Sequence, residues 1–226
     1  MAIPDDSPSA PRVAVVTVSF GSNDVLPDFL GSIAPSSSSP LHIVVADNRP
    51  DGSVGGLAAA CGAVYLPLPS NEGYGGGMNA AVRDLPASVE WVLVSNPDVV
   101  LDAGSLDTLV AVGDTDPRIG SVGPAILTSE GALYPSARSV PSLRTGVGHA
   151  LFANLWLENP WSRAYRRDAD EAPVRRDAGW LSGACFLVRR SAFDSLGGFD
   201  PGFFMYFEDV DLGHRLGKAG FRNVYE

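Results

Sequence analysis

The chain has 226 residues, enough for one large domain, and 45% of them are hydrophobic, enough for a sizeable core. Its formal net charge of −10 argues against nucleic acid as a partner, because binding a phosphate backbone needs a basic face. A phosphorylated ligand is still compatible with that charge where a metal ion bridges the two sets of negative groups.

Residues 1–11 lack Lys and Arg, so they do not read as a signal peptide and are expected to form a disordered tail ahead of a domain over 12–226. Val13 to Phe20 is a continuous β-branched run, as in a strand of a parallel sheet buried on both faces. Asn23 to Ile33 is expected to be a helix capped by Asn23, with Val25, Leu26, Phe29, Leu30 and Ile33 facing inward. Leu41 to Ala46 is a second strand ending in Asp47-Asn48, Gly52 to Cys61 a glycine-diluted helix, and Ala63 to Leu66 a short third strand. Gly75 to Leu85 is a helix, and Trp91 to Val94 a fourth strand ending in Asn96-Pro97-Asp98. Asp102 is expected to cap the next helix, which turns Leu106, Leu109 and Val110 inward; Ile119 to Leu127 is another strand.

From Ser129 to Asp177 the periodicity fails. Within this stretch His149 to Arg167 gathers Phe152, Leu155, Trp156 and Trp161 beside Arg163, Arg166 and Arg167. It reads first as an acceptor loop or a packing insert, and alternatively as a peripheral membrane contact. Trp180 to Val188 is a strand, Ser191 opens a short helix, and Phe221 to Glu226 is the start of a further strand. A domain rarely stops there, so the half over 129–226 is expected to be cut short. No apolar run reaches the ~20 residues of a membrane span. Cys61 and Cys185 sit in no metal-binding spacing and read as buried free thiols in a reducing, cytoplasmic setting.

Alternating strands and helices predict a doubly wound α/β fold, a mostly parallel sheet with helices on both faces. Ser19, Asp47, Asn71 and Asp98 fall just after strand ends, where open α/β sheets bind ligands. Asn71 to Asn79 is glycine-rich and precedes a helix, which allows close backbone approach and favours anions. It is neither a Walker loop nor a dinucleotide fingerprint. Asp98 offers a hard oxygen to Mg²⁺ or Mn²⁺, although Asn-Pro-Asp is also an ordinary turn. Gly198 to Arg215 runs from a turn through Phe203, Phe204, Tyr206 and Phe207 to Glu208, Asp209 and Asp211 at a helix start. Those acids can serve the helix dipole, and Asp211 can pair with Arg215, or the adjacent carboxylates can do acid–base work with one pKa raised by the other.

Taken together, Thr17-Val-Ser-Phe20, Asp47-Asn48, Asn71 through Asn79, Asn96-Pro-Asp98, Trp180 through Ala184 and Phe204 through Leu212 resemble family 2 of the inverting glycosyltransferases, whose nucleotide-diphospho-sugar transferase fold is called GT-A. The resemblance runs from Val13 to the end, with the motifs in order. It implies a nucleotide-sugar-binding half over 12–128 and an acceptor-binding half over 129–226. Within the family the chain is most similar to actinobacterial rhamnosyltransferases. Those move L-rhamnose from dTDP-rhamnose to polyprenyl-diphospho-GlcNAc, building the linker between peptidoglycan and arabinogalactan at the inner face of the plasma membrane. The resemblance implies that Thr17, Ser19 and Asp47 hold the nucleoside, that Asn71, Gly73, Asn79 and Asn96 line the nucleotide-sugar pocket, and that Trp180, Gly183 and Ala184 border the acceptor. Asp98 is then the ligand of a divalent metal, with Asn96 departing from the family's Asp-x-Asp pattern. Asp209 is the base, with Glu208 beside it. A metal-binding His that the family often carries further on falls beyond Glu226, and His214 is expected to be a surface helix residue. The alternatives are another donor sugar, such as galactofuranose or glucose, and a non-catalytic nucleotide-sugar-binding fragment. A sugar-nucleotide pyrophosphorylase is disfavoured, because Phe20 to Asp24 lacks the basic residue a triphosphate loop needs.

Overall fold

A computed structural model describes residues 10–139 and 174–226. The aromatic and basic segment 149–167 and most of the N-terminal tail lie outside the described residues. The first strand, β1 (Val13–Ser19), is buried at every position, as its apolar run requires. Its side chains alternate between two cores: Ala14, Val16 and Val18 enter one, Val13 and Val15 the other. The first core is closed by α3 (Gly73–Arg83), α5 (Arg190–Ser195) and α6 (Glu208–Lys218), the second by α1 (Leu26–Ser36), α2 (Ser53–Ala60) and α4 (Ser105–Asp114). Helices therefore cover both faces, as expected.

The remaining strands are β2 (Leu41–Asp47), β3 (Val64–Pro67), β4 (Trp91–Ser95), β5 (Ile119–Gly123), β6 (Ile126–Leu127), β7 (Leu133–Tyr134), β8 (Ala137–Arg138), β9 (Arg176–Ala178), β10 (Trp180–Leu181), β11 (Cys185–Arg189) and β12 (Arg222–Tyr225). Eight of them form one sheet in the order β3-β2-β1-β4-β11-β5-β12-β9. β1 to β4 are mutually parallel, whereas β11 runs antiparallel to both β4 and β5. The chain winds outward through β1, β2 and β3 and then returns to β4 on the other side of β1. That reversal opens a crevice at the carboxyl ends of β1 and β4. The antiparallel β11 starts opposite the end of β4, Cys185 against Ser95, so the residues just before it land at the same crevice.

Two expected strands are each divided. Ile119 to Leu127 breaks at Pro124, which has no N–H for the ladder, and Ala125 donates instead to the Glu226 carbonyl at 2.8 Å. Trp180 to Val188 breaks between β10 and β11 because its amides are used elsewhere: Ser182 N–H bonds the Ser136 carbonyl at 2.7 Å and Gly183 N–H bonds Asp209 at 2.8 Å. Neither expected cap holds. Asn23 accepts a hydrogen bond from the Ser53 hydroxyl at 3.0 Å, and α1 begins at Leu26 on the Ser22 carbonyl. Asp102 contributes only its backbone carbonyl to Ser105 N–H, because Gly104 at φ 72° makes the turn into α4. Of the two thiols only Cys185 is buried, which pushes its pKa up to about 12; Cys61 is exposed.

Candidate active site

A connected set of hydrogen bonds ties four separate elements together at the crevice. At the end of β2, Asn48 donates to the Gly73 carbonyl at 2.9 Å and accepts from Glu72 N–H at 3.0 Å, fixing the glycine turn that opens α3. Gly73 has φ 73°, and a Cβ there would sit 2.0 Å from the Phe204 carbonyl oxygen, so glycine is required twice over. The next residue, Tyr74, donates its N–H to that same carbonyl at 3.2 Å and its hydroxyl to the Gly183 carbonyl. Gly183 N–H donates to Asp209 Oδ2 at 2.8 Å, and Asn96 N–H at the end of β4 donates to the Ala184 carbonyl at 2.8 Å. Residues distant in sequence thus surround one cavity of about 350 Å³, lined among others by Tyr74, Asn96, Gly183, Ala184, Glu208 and Asp209.

The two carboxylates at the start of α6 differ in environment. Asp209 is anchored through both oxygens, Oδ2 to Gly183 N–H and Oδ1 to Val210 N–H at 2.8 Å. Glu208 is only 6% exposed, and its Oε2 has no partner among the described residues. Burial raises its pKa above the ordinary glutamate value, and the adjacent charge of Asp209 adds a smaller push in the same direction. The sequence attributed such a shift to the like-charged neighbour; here desolvation is the larger cause. Asp211 does what its spacing predicts, pairing with Arg215 at 2.6 Å. Arg215 also donates to the Leu196 and Gly198 carbonyls at 3.2 and 2.9 Å, which pins the turn leading into the aromatic run.

Of the residues singled out from the sequence, Asn96, Gly183, Ala184, Glu208 and Asp209 meet in the cavity. Asn71 holds the adjoining turn by accepting from Gly73 N–H at 3.0 Å. Asp47 is fully buried at the end of β2, accepting from Arg49 N–H and the Tyr65 hydroxyl, both at 3.0 Å. Thr17 and Ser19 are also fully buried at the end of β1, and Thr17 Oγ1 has no partner among the described residues. Asn79 does not reach the cavity. Both ends of its amide bond the Phe199 backbone, at 2.8 and 2.9 Å, and brace the loop from behind. Trp180 is also outside the cavity, packed on Gly213 with its indole N–H on the Ser139 carbonyl at 3.1 Å. His214 is exposed, as expected, and lines a different cleft between α6 and the sheet edge.

Tyr74, Tyr134, Ser182, Met205 and Tyr206 complete the cavity lining; Tyr206 belongs to the aromatic run read from the sequence, and the other four were given no individual role there. Of those four, Tyr74 alone left a signal, an aromatic set among glycines just ahead of a helix. Its phenol pKa is raised well above the usual value, chiefly by burial and further by the charges of nearby acidic groups. Among the described residues no group of three or more His, Cys, Asp or Glu side chains is arranged to hold a metal. Asp98 is exposed in the turn after β4. One hard carboxylate facing solvent suits a cation whose other ligands come from a phosphorylated substrate, not a cage built by protein alone.

A family model described as glycosyltransferase like family 2 matches residues 11–226. The N-acetylglucosaminyl-diphospho-decaprenol L-rhamnosyltransferase of Mycobacterium tuberculosis is 44% identical over 225 residues, covering 93% of this chain and 72% of the relative. The rhamnosyltransferase WbbL of Escherichia coli is 26% identical over 226 residues, covering 94% of this chain and 80% of that protein. Among solved structures, S. aureus TarS superposes with a TM-score of 0.65 at 15% identity, over 95% of this chain and 58% of the other. The mannosyltransferase PcManGT of Pyrobaculum calidifontis, solved in complex with GDP-Man and Mn²⁺, gives 0.63 at 17% identity, over 97% and 58%. This chain therefore spans less than two thirds of either solved chain.

Proposed function

The chain belongs to the glycosyltransferase-like family 2, and from that premise we propose that it is an inverting, metal-assisted rhamnosyltransferase moving L-rhamnose from dTDP-rhamnose to polyprenyl-diphospho-GlcNAc. The observation that carries the proposal is Asp209 at the cavity, held by two backbone N–H groups. A carboxylate so fixed cannot rotate away from an acceptor hydroxyl, and its remaining lone pairs can take that proton as the sugar is attacked. Inversion needs one displacement and no enzyme nucleophile, so a single base suffices. Glu208 lines the same cavity, with its carboxyl pKa raised chiefly by burial. The dTDP moiety lies along the ends of β1 and β2 by Thr17, Ser19 and Asp47, its sugar towards Asn71, Gly73 and Asn96, and the acceptor against Gly183 and Ala184. Asp98 would hold a Mg²⁺ or Mn²⁺ ion, which supplies charge neutralisation for the departing diphosphate. The name of the mycobacterial relative supports this acceptor and this transferred sugar.

The test is a donor screen on a GlcNAc-diphospho-lipid acceptor, reading nucleoside diphosphate release with and without chelator. Release from dTDP-rhamnose, lost with chelator, is expected. Release only from UDP-galactofuranose or UDP-glucose would replace the donor assignment, and chelator-resistant release would remove the metal.

A further inference from the structure

The cavity has a polar floor and an apolar rim. Glu208, Asp209 and Asn96 lie with Tyr134, Met205 and Tyr206 in its lining. From Met205 and Tyr206 the apolar surface continues out of the cavity: Phe204, Met205, Tyr206 and Phe207 are 54, 55, 73 and 65% exposed. Four consecutive large apolar side chains left in water form the kind of patch that marks a binding surface.

The ridge stands on a fixed backbone. The Phe204 carbonyl is held by Tyr74 N–H, Phe203 N–H bonds the Asp200 carbonyl at 3.1 Å, and the Phe207 carbonyl accepts from Asp211 N–H at 2.9 Å. Tyr206 and Phe207 both adopt left-handed φ, 67° and 69°, where glycine or asparagine is the economical residue and a bulky ring costs strain. The backbone geometry does not call for aromatic rings at these two positions, and the core does not absorb them.

We infer that this ridge seats the first isoprenoid units of the lipid-linked acceptor, its sugar in the cavity below and its hydrocarbon running outward over Met205 to Phe207. The inference rests on the acceptor reading above. Continuity selects this occupant: Met205 and Tyr206 line the cavity that holds Asp209 and also belong to the exposed ridge, so a molecule whose sugar hydroxyl reaches Asp209 has a continuous apolar surface outward from the cavity. Charge selects it over a bilayer surface. No Lys or Arg occurs between Arg190 and Arg215, while Asp200, Glu208, Asp209 and Asp211 flank the ridge, the reverse of the basic flanks that hold a peripheral segment on anionic lipid.

The test is calorimetric binding, without donor, of GlcNAc diphosphate esters carrying methyl, one-unit, two-unit and three-unit prenyl groups. Affinity should rise by about tenfold from the methyl to the three-unit compound. Phe207→Asn, which suits left-handed φ, and Met205→Ser/Phe207→Asn should flatten that dependence stepwise, with circular dichroism verifying the fold. Equal affinity across the series for the wild type overturns the inference but leaves the acceptor reading standing. Chain-length dependence retained by the double variant also overturns it. Failure of every ester to bind, methyl included, removes the acceptor reading and this inference with it. A variant effect confined to vesicles of anionic phospholipid, with no chain-length dependence, assigns the ridge to the bilayer instead.

Discussion

Two helix starts face each other above the crevice, and they are built in opposite ways. At the start of α3 the geometry is met by residues that suit it. Gly73 takes the left-handed turn, and the Asn48 amide is used at both ends. At the start of α6 the left-handed turn is made by Tyr206 and Phe207, a buried glutamate oxygen has no partner among the described residues, and four apolar side chains face water. The first junction spends its interactions internally. The second holds them in reserve, as a surface that must receive a substrate does. The two meet at the Phe204 carbonyl, so the rigid junction positions the reactive one.

The sharpest way to break this comparison is at Asp209. Asp209→Asn is nearly isosteric but has a single acceptor oxygen, so it keeps one of the two N–H contacts, turns an NH2 group against the other donor, and removes the proton acceptor. Turnover should fall by about 10³-fold, within the range for loss of a general base. Binding of dTDP, measured by calorimetry, should be unchanged, because the proposed nucleotide residues Thr17, Ser19 and Asp47 lie at the ends of β1 and β2, away from Asp209. Substantial residual turnover would dismiss Asp209 as the base.

The next largest effect tests the rigid junction. Gly73→Ala places a methyl group 2.0 Å from a backbone oxygen in a backbone conformation alanine resists. Backbone must then move, and a loss of about 2–4 kcal/mol is expected by chemical denaturation. Because that oxygen belongs to Phe204, turnover should fall as well. An alanine variant of wild-type stability would show that this junction is as compliant as the other.

Much of this arrangement was legible in the sequence, and the failures have physical causes. The buried run of β1 and the paired acids of α6 announce themselves by periodicity and by residue type. The divided strands do not, because apolar side chains continue through Pro124 and Gly183 while the backbone hydrogen bonds leave the sheet. Asn79 and Trp180 stand inside recognisable motifs yet support the site from outside it, and sequence order carries no information about which side of a helix meets a ligand. The expected caps Asn23 and Asp102 failed because neighbouring backbone carbonyls and Gly104 did that work first. Tyr74 and Tyr134 reach the cavity only through the tertiary fold.

A smaller effect sharpens the reserve held at α6. Burial raises the folded-state pKa of Glu208, so the folded protein binds that proton more tightly than the unfolded chain does. The stability gained this way is fully present below the ordinary glutamate pKa and is lost as pH rises through the folded value. Glu208→Gln, which cannot ionise, should therefore melt with the wild type near pH 4 and above it at pH 8, the smallest of the three effects. Comparing the two pH values isolates the charge, since any packing cost of the amide appears at both. An offset independent of pH would mean that Glu208 is solvated or paired after all, and the contrast between the two helix starts would then rest on the aromatic ridge alone.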